Sequence, residues 1–149
     1  MLLPLLTQKQ KFVNYIMQGG KKKLAQQLLE DAFTLIKEKG NKEPEAIFDK
    51  AFENVMPHIE VRPRRIGGAI FQVPGDVAPR RQLFLASKWI KESAQSKKGT
   101  PFAKALALEL IDASQETGVA FKKKLDVYKN AEANKVNARF ARMNNNNKK

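Results

Sequence analysis

Between Pro57 and Val73 the apolar residues of this chain stop recurring at helical intervals and begin to alternate. That change of period limits the fold more than any other feature. Ile59 and Val61 alternate with Glu60 and Arg62, Gly67-Gly68 interrupts the run, and Ile70-Phe71-Gln72-Val73 resumes it. Two short β-prone runs around a Gly-Gly pair read as a hairpin, because a tight turn needs positive φ and glycine adopts it without steric cost. Pro63 and Pro74 lie within or beside these runs and donate no backbone hydrogen bond, so the ribbon has free edges. The spacing predicts a hairpin arm over about 59–77.

Helical periodicity holds on both sides of it. A first short helix is expected over roughly Leu6 to Gln18, with Phe12 and Ile16 on one face and Gly19-Gly20 ending it. A second runs from about Lys21 to Lys39 with the stripe Leu24, Leu28, Ala32, Leu35 and Ile36, and stops at Gly40. The third occupies Pro44 to Val55, with Ile47, Phe48, Ala51, Phe52 and Val55 facing inward. After Pro79, Leu83, Ala86, Ile90 and Ala94 repeat up to about Lys98. Gly99-Thr100-Pro101 breaks the chain, with Thr100 as N-cap and Pro101 at the first helical position. Ala103, Leu106, Leu110 and Ala113 form the next stripe, which Gly118 ends. The last helix is expected from about Ala120 to Met143, with a thin seam of Leu125, Tyr128, Val136 and Phe140.

The 149 residues suit one domain, long enough to bury about two-thirds of its unfolded surface. Charge speaks to function. Lys and Arg number 28 against 15 Asp and Glu, a formal net charge of +13. Such an excess repels the compact state from itself, which points to a polyanionic partner. No apolar run approaches the ~20 residues of a membrane span, and no helix joins a fully basic face to a large aromatic one. Met1 to Leu6 is apolar but short, with no basic residue before it and no small-residue cleavage site, so no signal peptide is expected.

Catalysis finds little to work with. Cysteine is absent and His58 is the only histidine, which removes thiolate chemistry and multi-histidine metal sites. His58 follows Pro57 at a helix end, where a capping or surface role is expected. Gly19-Gly20-Lys21 follows a helix where a phosphate loop needs a strand, and Gly67-Gly68 lacks a dinucleotide fingerprint's third glycine. Glu30, Asp31 and Glu109 read as ordinary helix positions pairing with nearby lysines. The chain reads as a non-enzyme with no cofactor.

Three basic clusters carry the functional reading. Arg62, Arg64 and Arg65 crowd one strand and Arg80-Arg81 follow the other, so five of seven arginines fall between 62 and 81. Arginine's planar fork grips phosphate with two bonds and stacks on bases, which suits a narrow ribbon for the grooves of folded RNA. Residues 119–149 carry +7, with Lys122, Lys123, Lys124, Lys129, Lys135, Arg139 and Arg142 around a seam too thin for a core helix. Lys21, Lys22 and Lys23 sit at a helix start, where the dipole disfavours cations and an anionic partner offsets the penalty. Trp89 and Phe84 are expected in the core or an interface, not as base-stacking platforms.

Lys11-Phe12-Val13-Asn14-Tyr15-Ile16-Met17 followed by Gly20-Lys21-Lys22 resembles the opening helices of the ribosomal protein S-seven family. Glu53-Asn54-Val55, Pro57, Glu60-Val61, Arg64-Arg65, Gly67-Gly68 and Gln72-Val73-Pro74 are similar to that family's β-arm. Arg81, Leu85-Ala86 and Trp89-Ile90 resemble its next helix; Lys122-Lys123-Lys124, Asp126-Val127, Ala131-Glu132-Ala133-Asn134-Lys135 and Ala138 resemble its last. The resemblance covers about residues 11 to 142.

It implies a mainly α fold: a single domain, residues 1–143, of about six helices with a two-stranded β-hairpin protruding between the third and fourth. Residues 144–149 would form an Asn/Lys-rich tail. It also implies a structural constituent of the ribosome, a primary rRNA-binding protein on the 3′ major domain that nucleates assembly of the head. The site would lie near exit-site tRNA and the mRNA exit path, with proteins S-eleven and S-nine as neighbours. Lys21, Lys22, Arg64, Arg65, Arg81, Lys122, Lys123 and Lys135 become the leading rRNA contacts. The tip, Arg65, Ile66, Gly67, Gly68 and Ala69, would lie closest to tRNA or mRNA.

Two departures bear on origin. Bacterial members open with a basic arm of roughly twenty residues, where this chain has Met1 to Leu6; those leucines are candidates for contact with a neighbouring protein. The ending is Asn-rich, and Lys outnumbers Arg 21 to 7. Together these favour an organelle-encoded member, mitochondrial before chloroplast, over a bacterial cytoplasmic one. On residues alone the alternative is a free-standing helical DNA- or RNA-binding regulator, or a protein scaffold with incidental charge.

Overall fold

The computed structural model describes residues 7–40 and 43–143. Thr7 opens α1 (Gln8–Ile16): its hydroxyl accepts from the Gln10 N–H at 3.2 Å and the Gln10 side chain accepts from the Thr7 N–H at 2.9 Å. That reciprocal cap satisfies two donors orphaned at a helix start. Phe12, Val13 and Ile16 are buried beneath it. α2 (Lys22–Glu38) buries Ala25, Leu29, Ala32, Phe33 and Ile36. Of the expected stripe Ala32 and Ile36 are buried, but elsewhere the inward positions are the next residue or its neighbour: Leu24 is 54% exposed, and Leu28 and Leu35 are half-buried. Leu24-Ala25 and Leu28-Leu29 offer two adjacent apolar rows about 100° apart, and packing against the rest of the fold selects one.

α3 (Pro44–Val55) spans the expected residues. Phe48 and Phe52 meet Phe12 edge-on at 5.7 and 5.2 Å between centroids, and Phe33 meets Phe48 at 5.7 Å. These edge contacts suit the ring quadrupoles and build the centre of the core. β1 (Ile59–Ile66) and β2 (Ala69–Asp76) then form an antiparallel hairpin in which Ile66 faces Ala69 and Ile59 faces Asp76. Gly67 and Gly68 close it with φ of 57° and 83°. A turn requiring positive φ at both central positions is matched by the sequence.

α4 (Pro79–Gln95) leads to α5 (Phe102–Ser114), which packs against α2, α3, α4 and the following helix. Ala105, Leu106, Ala107, Glu109, Leu110 and Ala113 are all buried, so α5 is the central helix of a single, mainly helical domain. Its ends differ from expectation. Pro101 occupies the cap position and Thr100 makes no cap bond. The helix stops at Ser114, and Gly118 opens α6 (Gly118–Ala133) with φ of 91°. A Cβ there would stand 2.9 Å from the Asp112 Cβ and 3.1 Å from Glu109 Oε1, so only glycine fits the corner.

The final helix is also not continuous. α6 ends at Ala133, a 3₁₀ turn covers Lys135–Arg139, and α7 spans Phe140–Met143. The Asn134 side chain donates to the Asn130 carbonyl at 2.8 Å, competing with the helical backbone, and Asn137 donates to Gln72 O on β2 at 3.1 Å. Phe140 stacks on Phe71 with centroids 4.9 Å apart. The C-terminal segment is thereby drawn onto the hairpin, so the expected seam does not form: Leu125 is 49% and Val136 73% exposed, while Ala120 and Ala131 are buried. The expectations for Met1 to Leu6 and residues 144–149 lie outside the described residues.

Candidate nucleic-acid interface

The hairpin is anchored at its foot. The His58 N–H donates to the Tyr128 hydroxyl at 2.9 Å, and the His58 carbonyl accepts from the Val77 N–H at 3.1 Å. The exposed imidazole has the Gln82 amide 3.3 Å from its Nδ1. Beside it lies Glu60, one of two acids in the hairpin with Asp76. Glu60 is buried, although the alternation of Ile59 and Val61 around it reads as an apolar face; those two are only half-buried. Its Oε1 accepts from Arg62 Nε at 2.7 Å, is contacted again by Arg62 Nη2, and lies 3.5 Å from Arg81 Nε on α4.

This divides the arginines. Arg62 and Arg81 share Glu60, and Arg81 also lies over the Phe84 ring at 5.4 Å. Phe84 in turn packs edge-on against Tyr15 at 5.6 Å, an intramolecular role as expected. Arg64, Arg65 and Arg80 have no carboxylate within ion-pair distance among the described residues, and Arg65 and Arg80 are exposed. Strand alternation puts Glu60, Arg62 and Arg64 on one face of β1 and Arg65 on the other. Arg64 faces Phe71 across the ladder. Phe71 packs on Phe140, and Arg139 lies over the Phe140 ring at 4.8 Å, so Arg139 is held beside the strand position opposite Arg64.

On α6 the lysines separate by direction. Lys122 and Lys129 are exposed without an ion pair among the described residues, whereas Lys123 meets Glu92 of α4 at 3.1 Å and Lys135 meets Glu132 at 3.0 Å. Lys124 turns inward. Its ammonium donates to the Asn54 carbonyl at 2.8 Å and lies 5.7 and 5.2 Å from the Phe121 and Tyr128 rings. Burial lowers its pKa below the ordinary 10.5, opposed by the Glu116 charge. Lysine triplets carry no sign of which member faces inward, so nothing in the sequence marks it. Lys21, Lys22 and Lys23 are all exposed around the α1–α2 turn, with no side-chain cap at the helix start.

The expected basic residues thus occupy three regions: the α1–α2 turn, the hairpin with the start of α4, and α6 with the segment after it. The hairpin and C-terminal segment are physically joined. Sequence reasoning missed Glu60 as the group that organises the arginines; its signal is an acid two residues before a cluster of three arginines. Among the described residues, no three His, Cys, Asp or Glu side chains gather where they could hold a metal, and no helix is long and apolar enough to cross a membrane.

Comparison with known proteins decides what these surfaces belong to. Residues 7–135 match the family described as Ribosomal protein S7p/S5e. The chain is 47% identical over 130 residues to the small ribosomal subunit protein uS7 of a Thermoanaerobacter species, covering 87% of this chain and 83% of that one. It is 48% identical over 130 residues to the uS7 of Thermotoga maritima and 46% identical over 131 residues to that of Dictyoglomus thermophilum. Coverage is 87% and 88% of this chain, and 84% of each relative.

The chain belongs to the S7 family of ribosomal proteins.

Membership makes it a structural constituent of the small ribosomal subunit, taking part in translation and not an enzyme. The regulator reading falls with it. S7-family membership also accounts for the hairpin between α3 and α4, which the resemblance led one to expect.

Proposed function

We propose that this S7-family chain is a primary rRNA-binding protein that engages the 3′ major domain of small-subunit rRNA and nucleates assembly of the head. One observation carries the proposal: basic side chains without carboxylate partners among the described residues sit on the elements flanking the helical core. They are Arg64, Arg65, Arg80, Lys122 and Arg139, joined by Lys21, Lys22 and Lys23. Arg62, Arg81, Lys123, Lys124, Lys135 and Arg142 complete the rRNA-binding set, with several of them also holding the chain's own groups. The tip residues Arg65 to Ala69 lie nearest exit-site tRNA and the mRNA exit path, and proteins S-eleven and S-nine are the neighbours. The domain extends over 1–143 with 144–149 as a tail.

The test is salt-dependent binding of the purified chain to a transcript of that rRNA domain, with duplex DNA as competitor. Six to ten phosphate contacts give a ~10³–10⁵-fold loss of affinity between about 50 and 200 mM salt. Replacing Arg64 and Arg65 by Ala should flatten the salt slope by about one unit per lost contact, with helicity unchanged. Equal competition by DNA, or unaltered binding by the double variant, refutes the assignment.

The compartment proposed is an organelle, the mitochondrial matrix. The support is compositional: 21 Lys against 7 Arg, and four consecutive asparagines at 144–147. The relatives compared are bacterial. Fractionation with organellar against cytosolic ribosomes tests it.

A further inference from the structure

A carboxylate inside a phosphate-facing surface repels the ligand, yet Glu60 lies in the most arginine-rich stretch of the chain. On charge alone it is a liability. Its surroundings show what it does instead. The side chain is 11% exposed and joins two elements: Arg62 of β1 and Arg81 of the first turn of α4 converge on its Oε1. The backbones of β1 and α4 otherwise make little contact. Between them lies a cavity of about 180 Å³ lined by Glu60, Val61, Leu85, Trp89, Val127 and Asn130. Close packing fixes orientation in a protein interior, and a gap at the foot of an arm removes that constraint. On the α4 side the restraints are polar: the ionic cluster on Glu60, and the Gln82 amide, which donates to Val77 O at 3.1 Å and lies 3.3 Å from His58 Nδ1.

We infer that Glu60 is a positioning residue: by clamping Arg62 to Arg81 it sets the direction in which the hairpin presents Arg64 and Arg65 to RNA. Arg62 is the neighbour of Arg64 on the same strand face, so holding its guanidinium against Glu60 also keeps that face clear of a collapsed, mobile arginine. The inference rests on the rRNA-binding reading above and adds to it an acid that improves binding to a polyanion.

The two views of Glu60 predict opposite signs. Glu60→Gln adds one to the formal charge of +13, so an acid that merely repels RNA predicts tighter and more salt-steep binding. A positioning role predicts weaker binding with the salt slope flattened by about one to two units, as Arg64 and Arg65 lose their phosphates. It also predicts coupling: Arg64→Ala should cost less affinity in the Glu60→Gln background than alone. Because the chain has no cysteine, Ile70→Cys at the exposed tip and Gln26→Cys on α2 can carry a clean spin-label pair. Glu60→Gln should then broaden or shift the distance distribution, with melting followed on the same samples. Tighter binding, or an unchanged distance distribution in a folded variant, overturns the inference. If the unmutated chain itself shows no salt-steep rRNA binding, the functional reading fails, and the distance measurement still decides the positioning role.

Discussion

Replacing Glu109 with Ala probes the least expected feature of the core. Glu109 is fully buried on α5, where its Oε1 accepts from the Ala120 N–H at 2.9 Å and its Oε2 lies 3.4 Å from Lys97 Nζ. The Thr117 side chain makes no cap bond to α6, its hydroxyl donating instead to the Asp112 carbonyl at 3.0 Å, so this carboxylate does the work of a cap for α6 from another helix. Removing it deletes a hydrogen bond to a charged acceptor, worth ~1.5–3 kcal/mol, and leaves a buried N–H unpaired. The Lys97 ammonium meets Oε2 by proximity without hydrogen-bond geometry and keeps 27% exposure, so water compensates part of its loss. The total should fall near the lower end of the ~3–5 kcal/mol that breaking a fully buried pair costs. At ~2–4 °C per kcal/mol for a chain of this size, a loss of ~3 kcal/mol lowers Tm by ~6–12 °C. Urea unfolding followed by circular dichroism measures it, with Glu109→Gln, which keeps an acceptor for Ala120, losing roughly half as much. A loss below ~1 kcal/mol for Glu109→Ala would refute both the capping and the pairing argument.

Three further outcomes follow from the same geometry. Leu106→Ala should cost ~2–5 kcal/mol because the side chain is fully buried in α5, while Leu24→Ala, more than half exposed, should stay within ~0.5 kcal/mol. Equal losses in urea melts would contradict the face assigned to α2. Gly118→Ala should destabilise by more than ~1 kcal/mol, from a φ of 91° and the Cβ contact at Asp112, measurable as a fall in Tm. For Lys124, burial lowers the folded pKa, so between that value and the ordinary 10.5 the unfolded chain holds the proton more tightly. Stability relative to a Lys124→Met variant should therefore rise as pH climbs through that window and fall back as pH drops. A flat difference between the two chains' urea midpoints in alkaline buffers would remove the burial argument.

The local grammar of the chain was plain from the sequence: the hairpin, its Gly67-Gly68 turn, α3 to the residue, and the breaks near Gly19-Gly20 and Gly99. Each follows from short-range sterics, since glycine at positive φ, proline at a helix start and the residue period act within a few positions. The basic clusters were equally visible, because charge is a property of composition. Which residue of an ambiguous pair turns inward was not visible. Leu24-Ala25 and Leu28-Leu29 are equivalent until a partner helix chooses between them, and Lys122, Lys123 and Lys124 are alike until Asn54 supplies a carbonyl for one of them.

The same reason explains the larger misreadings. Asn134 breaks the last helix because Asn137 and Phe140 find Gln72 and Phe71 on a strand more than sixty residues earlier. Glu109 is a cap because Gly118 brings the start of α6 against it, and Glu60 is buried because Arg62 and Arg81 come from separate elements to meet it. Periodicity and charge settled what this chain is made of and what class of partner it suits. Only tertiary packing, which joins residues distant along the chain, decided which charges are spent on the protein itself and which are left without an internal partner.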